Sequence, residues 1–249
     1  MGKLDGKVAV VTGASKGIGA SIAKAIALEG ATVVVNYSAG IADAERAVAE
    51  IEDAGGIAIA IRANISNASE LATFFEAVKN HCGRIDVLVN NAGVFTFGPL
   101  EAVTEDDISK MFSVNVTGLL LVSKGALPLF PSEGGSIINI GSYVATQMPS
   151  QTVVYAATKG AVNTITGVLA NELGPHNIRV NALLPGVTAT EGFRASGAEG
   201  SNVVAGLVRM TSLGRIGQPQ DIAEAAVFLA TNESRWITGE LIHVSGGLR

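Results

Sequence analysis

A short apolar run, Val8-Ala-Val-Val11, passes directly into Thr12-Gly-Ala-Ser-Lys-Gly-Ile-Gly19 and then into a helical stretch, Ala20 to Leu28. No other feature restricts the fold so tightly. The glycines let the backbone turn sharply and approach a pyrophosphate, and the following helix start offers free N–H groups and the positive end of its dipole. A buried strand ending in such a turn and entering a helix is the repeating step of a parallel sheet, since the helix carries the chain back for the next strand.

The rest of the chain repeats that step. Further strands read as Thr32 to Asn36, Ile57 to Ile61, Val87 to Asn90, Ser136 to Ile140, Arg179 to Leu184 and Leu241 to Val244. Between them, helical periodicity runs over Asp43 to Ala54, from an Asn67/Glu70 capping box to His81, from Thr104 to about Leu127, through Tyr155 to Leu173, and over Pro219 to Ala230. The alternation predicts an α/β single domain over 1–249: a Rossmann-like, doubly wound parallel sheet of about seven strands with helices on both faces. A ligand then belongs at the carboxyl ends of the strands. The stretch Thr190 to Thr211, rich in Gly, Ser and Ala (Ala195 to Ser201), reads as a mobile lid over about 189–212.

Composition excludes several classes of function. With 17 basic against 22 acidic residues the net charge is −5, and no long basic cluster occurs, which argues against nucleic acid and anionic membranes as partners. The single cysteine, Cys82, allows no internal disulfide and suits a reducing compartment. His81, His176 and His243 are scattered, so no metal site is expected. The start has no apolar signal core, and no uncharged apolar run reaches the roughly 18 residues a membrane span needs. A cytoplasmic protein is expected.

Tyr155-Ala-Ala-Thr-Lys159 opens a long apolar helical run. Positions four apart share one helix face, so the phenol and the ammonium point the same way. A cation about 4 Å from a phenol, at an effective dielectric near 20, contributes roughly 4 kcal/mol, or about three pKa units downward. The expectation is a tyrosine fit for acid–base work.

Together these motifs resemble the short-chain dehydrogenase/reductase family. The match rests on Thr12-Gly-x-x-x-Gly-x-Gly19, Asn90-Asn-Ala-Gly93, Asn115, Ser142, Tyr155-x-x-x-Lys159 and Pro185-Gly186, in order, across nearly the whole chain. The resemblance implies that Tyr155 is the general acid or base and Ser142 bonds the substrate oxygen. Lys159 lowers the Tyr155 pKa and holds the nicotinamide ribose, and Asn115 holds a relay water. It implies a dinucleotide held by Gly13, Ser15, Lys16, Gly17, Ile18, Gly19, Asn36, Tyr37, Ser38, Asn64, Ile65, Asn91, Ala92, Gly93, Tyr155, Lys159, Pro185, Gly186, Val187 and Thr188. Asn36-Tyr-Ser38 offers no carboxylate to repel a 2′-phosphate, and Lys16 can reach one, so NADP(H) is favoured over NAD(H), as in the NADP-preferring members. Two positions depart from the family: Asn64 replaces an Asp beside the adenine, and Val244-Ser-Gly-Gly247 replaces Val-Asp-Gly-Gly.

Val94, Phe95, Phe97, Val144, Met148 and, from the lid, Phe193 are expected near the substrate, which suits a small apolar carbonyl or alcohol. A 3-oxoacyl-carrier-protein reductase and a sugar 1-dehydrogenase remain alternatives, with a non-catalytic dinucleotide sensor a distant third. Against the carrier protein stand two turns without Lys or Arg, Leu129 to Gly135 (Glu133) and Glu172 to Asn177 (His176). The helices 104–127 and 155–173 carry more apolar residues than one sheet-facing stripe uses, which with the resemblance implies a homotetramer.

Overall fold

The computed structural model describes residues 2–195 and 202–248. Its strands β1 (Val8–Val11), β2 (Thr32–Tyr37), β3 (Ile57–Arg62), β4 (Val87–Asn90), β5 (Gly135–Ile140), β6 (Ile178–Pro185) and β7 (Leu241–Val244) form one sheet. The order is β3-β2-β1-β4-β5-β6-β7, and every pairing is parallel. The order reverses between β1 and β4, which opens a crevice at the carboxyl edge of the sheet.

Both faces of the sheet are covered, so the central strands need apolar residues at every position rather than at alternate ones. Alternate side chains enter opposite cores. Ala9, Val11, Val33, Val35 and Ile138 join Ile22, Ile26, Ile51, Ile222 and Leu229, which come from α1 (Gly17–Leu28), α2 (Ile41–Asp53) and α10 (Pro219–Ala230). Val10, Val34, Leu88, Ile137 and Val180 pack with Phe74, Val122 and Leu173, from α3 (Ala68–Cys82), α5 (Leu119–Ala126) and α7 (Val153–Leu173). Burying a side chain such as Phe74 contributes about 1.5–3 kcal/mol.

The long helix expected from Thr104 is not continuous α-helix. A full capping box, Thr104 with Asp107, starts α4 (Glu105–Phe112); Ser113–Gly118 then widen into π-helix before α5. Gly118 lets this segment pack closely on Ile65, because a Cβ there would stand 2.8 Å from Ile65 Cδ1. The whole run Glu105–Leu129 is long and apolar enough to cross a bilayer, although Met111, Asn115, Val122 and Ala126 bury one side of it in the fold. The capping box expected at Asn67 is half formed: Asn67 accepts from Ser69 and Glu70 N–H, but the Glu70 carboxylate turns to the Asn64 N–H at 3.0 Å.

Within the expected lid lie α8 (Glu191–Ala195) and α9 (Asn202–Met210). Residues 196–201, most of its Gly/Ser/Ala-rich part, lie outside the described residues. The two turns weighed against a carrier protein, Leu129 to Gly135 and Glu172 to Asn177, precede β5 and β6 at the amino edge of the sheet. Within one chain they sit opposite the Tyr155 edge, so their lack of basic residues does not bear on docking there.

Candidate active site

β5 ends at Ile140, and the next turn delivers Ser142, which is 7% exposed, before the short α6 (Val144–Gln147). α7 supplies Tyr155 and Lys159, one turn apart on the face turned to that strand end. The Ser142 side chain lies beside the Tyr155 phenol and pulls its pKa down. Lys159 is 5% exposed, and its ammonium donates to the Ile140 carbonyl at 2.7 Å.

The expected lowering of the Tyr155 pKa is not found. Burial of its hydroxyl end pushes the phenol up to about 12, against a downward pull from Ser142 and with a further upward push from Tyr143. Lys159 offsets little of this, because its proton goes to Ile140 and its nitrogen lies 5.8 Å from the Tyr155 ring centroid. Burial also pushes the ammonium down to about 8. At neutral pH the site therefore holds a protonated phenol beside a cation close to its titration point.

Asn115 is buried in the π-helical segment and faces the loop after β4. Its Oδ1 accepts from Val94 N–H at 2.8 Å, and its Nδ2 donates to the Val94 carbonyl at 2.8 Å and to Thr158 Oγ1 at 3.1 Å. Both donor hydrogens are spent, so the carboxamide pins the β4 loop to α7. Any water here must be held by other atoms or by the second Oδ1 lone pair.

The crevice beside these residues is a cleft of about 450 Å³, lined by Gly13, Ser15 to Gly19, Asn36 to Ala39, Ala63 to Ile65, Asn91 to Val94, Val114 and Thr190 to Gly192. A larger hollow of about 600 Å³ at the amino edge, between Lys7, Arg179 and Trp236, touches none of the candidate site residues. Helix α1 has no side-chain N-cap and no acid in its first turn, so its first N–H groups face the cleft uncapped. A Cβ on Gly93 would fill the floor, 3.3 Å from Asn115 Oδ1 and 3.7 Å from Lys159 Nζ. An uncapped helix start over a glycine-lined floor fits a pyrophosphate-bearing dinucleotide.

Three expected cofactor ligands behave otherwise. Asn36 is 2% exposed; its Oδ1 accepts from Gly13 N–H at 3.3 Å and its Nδ2 donates to the Ala63 carbonyl at 3.1 Å. It shapes the cleft from behind. The Oδ1 of Asn64, expected beside the adenine, already takes the Ser66 N–H at 3.1 Å and hydroxyl at 2.8 Å, leaving only its amide hydrogens to offer. Asn91 donates to the Thr12 and Gly13 carbonyls at 2.9 and 3.0 Å, which braces the glycine turn. Pro185, the last residue of β6, and Gly186, Val187 and Thr188 after it do not line the cleft, and Val187 opens on a separate hollow of about 290 Å³.

Other groups went unnoticed in the sequence. Thr12 Oγ1 accepts from the Asn91 and Ala92 N–H groups at 3.0 and 3.1 Å, locking the two cleft loops together. Arg62, at the end of β3, donates to the carbonyl of Ser38, which lines the cleft, at 3.1 Å and so brings a second cation near it. A basic residue at the end of the strand beside β2 was the available signal. Of the expected substrate contacts, Phe95, Phe97 and Met148 are exposed, whereas Val144 is 3% exposed and belongs to the interior. Phe193, on α8, is partly buried.

The crevice at the strand-order reversal, the uncapped glycine turn and the serine–tyrosine–lysine cluster define a class: Rossmann-like α/β oxidoreductases. The profile of a family described as enoyl-(acyl carrier protein) reductase matches residues 13–249. An uncharacterised oxidoreductase of Methylorubrum extorquens is 53% identical over 249 residues, covering all of both chains. A probable tetrahydroxynaphthalene reductase of Zymoseptoria tritici is 37% identical, covering 98% of this chain and 95% of that one. Among solved structures, the angucycline C-6 ketoreductase LanV with bound NADP superposes with a TM-score of 0.93 at 35% identity, covering 99% of this chain and 97% of that one. The chain belongs to the short-chain dehydrogenase/reductase family.

Proposed function

We propose that this chain is an NADP(H)-dependent reductase of small, mainly apolar ketones or aldehydes, working reversibly on the corresponding alcohols. The observation that carries the reading is the contact of a protonated Tyr155 with Ser142 at the end of the cleft, with Lys159 buried behind it. A bound nicotinamide supplies or accepts the hydride. Tyr155 gives its phenolic proton to the carbonyl oxygen, and Ser142 donates a hydrogen bond to the same oxygen as charge develops there. Lys159, its ammonium 5.8 Å from the Tyr155 ring centroid, would hold the ribose of the cofactor. Asn115 keeps the β4 loop and α7 in register around these groups.

NADP(H) is favoured because Lys16 lines the cleft, Arg62 bonds the carbonyl of the cleft residue Ser38, and no carboxylate closes β2. The names of two relatives, one a ketoreductase with bound NADP and one acting on a naphthalene derivative, support a ketone rather than a sugar. The protein is expected to act in the cytoplasm as a homotetramer, on free small molecules. The test is NADPH oxidation across a panel of aryl ketones, α-diketones, keto esters, acetoacetyl thioesters and sugars. Turnover confined to carrier-protein thioesters or to sugars overturns the substrate reading. Lys16→Ala is expected to weaken NADPH binding about 5- to 30-fold and leave NADH nearly unchanged, as loss of one charged hydrogen bond requires. Equal losses for both cofactors remove Lys16 from the 2′-phosphate.

A further inference from the structure

Resting on the ketone-reductase reading above, we propose that Phe95 and Phe97 form a flat wall that selects planar aromatic ketones over puckered saturated ones. The two rings stack with centroids 5.1 Å apart and planes 24° from parallel. Both are more than half exposed, at 54% and 55%. Each lies beside the proton donor: Phe95 is 5.9 Å from the Tyr155 ring at 58°, and Phe97 is 5.8 Å from it at 72°. Tyr155 therefore stands steeply across the edge of the wall.

The wall is held open by its own loop. In an extended segment, side chains two apart point the same way and the one between points oppositely. The Thr96 side chain accordingly turns to Asp107, at the start of α4, while its neighbours face Tyr155. Beyond Phe97, the Gly98 N–H donates to the Gln151 carbonyl at 2.9 Å, and Gln151 itself sits at φ 67°, a conformation a non-glycine residue adopts only where its surroundings impose it. Tethered on both sides, the two rings do not fold into the core. They remain an ordered apolar surface beside Tyr155.

The shape of that surface chooses the ligand. Rings stack best offset and nearly parallel, at separations like that of the pair itself. In an aryl ketone the carbonyl lies in the plane of its ring. A ring lying flat on the wall therefore sends its oxygen out edgewise, toward the edge where Tyr155 stands. A saturated ring of the same size puckers, touches the wall through fewer atoms and tilts its carbonyl.

The experiment compares 1-tetralone with 1-decalone, which share a bicyclic skeleton and carbonyl position but differ in planarity. Dissociation constants are measured by calorimetry on the NADP+-saturated protein, and KM and kcat with NADPH. Tetralone is expected to bind about 3- to 10-fold more tightly than decalone, the scale of one aromatic stack. Phe97→Leu and Phe95→Leu should each shrink that ratio, chiefly through KM, and Phe97→Tyr should restore it. Circular dichroism checks that the variants are folded. Equal binding of the two ketones, or a ratio unmoved by both leucine variants, overturns the wall while leaving ketone reduction standing. Tetralone binding that depends on Phe97, without turnover of any ketone, upholds the wall and removes the reductase reading. No binding of either ketone overturns the wall outright.

Discussion

At the scale of single residues, the site places an acid where the chemistry asks for one and a cation where the fold would rather not have it. With its phenol pushed up to about 12, Tyr155 stays protonated at neutral pH, the form a carbonyl reduction consumes. Tyr155→Phe should lower kcat at least about 10²-fold while NADPH still binds, and near-normal turnover in that variant removes the phenol from the proton transfer. Lys159 has a folded pKa of about 8, below its ordinary value, so burial opposes its charged form. Its penalty is fully present below pH 8 and fades as pH rises from there toward the unfolded value of about 10.5. Lys159→Met should therefore melt about 2–6 °C above the parent at pH 7, a gain that narrows by pH 10, while turnover collapses. An unchanged or lower melting temperature at pH 7 would show that the bond to Ile140 outweighs the burial.

At the scale of elements, strands and helix starts could be read directly, whereas the aim of the carboxamides could not. Buried parallel strands demand apolar runs, and Thr104 with Asp107 spells a helix start, so both are written locally. Asn36, Asn64 and Asn115 show the limit: each was expected to face a ligand or water, and each bonds protein atoms brought near only by folding. The π-helical turn at Ser113–Gly118 left no periodic trace, and the close seating of Gly118 against Ile65 arises only on folding. The Thr104–Asp107 box gives a test of local reading. Its bonds, that from the Thr104 side chain first, hold the Asp107 carboxyl below its ordinary pKa of 3.8. The support is present above that value and is lost as pH falls through the lower folded one. Thr104→Ala should lower the melting temperature by about 2–4 °C at pH 7, and the deficit should narrow in strong acid, where the hydroxyl's bond to the Asp107 carboxylate is lost and only its bond from the Asp107 N–H remains. A deficit that does not narrow shows that the bond to the carboxylate adds nothing to the cap.

At the scale of the whole molecule, the outer sides of two long helices are apolar. Ile108, Phe112 and Leu120 on the Glu105–Leu129 run, and Val153 and Val168 on α7, are each between 38% and 51% exposed. A homo-oligomer, expected to be a tetramer, would cover them. Light scattering at micromolar protein should give about four chains per particle, and a monomer there refutes it. The strand order carries a different consequence, for how the chain is made. β1 precedes the other six strands along the chain yet sits in the interior of the sheet, flanked by β2 and by β4, which ends at Asn90. The seam between them is stitched at its amino end by Asp86, whose carboxylate accepts from Val8 N–H at 3.0 Å and from Lys7 at 3.1 Å. A nascent chain that has emerged only through β3 thus exposes an unpaired, wholly apolar strand edge, a surface prone to wrong partners. Chain lengths that stop short of β4 are therefore where association with chaperones is expected to be strongest.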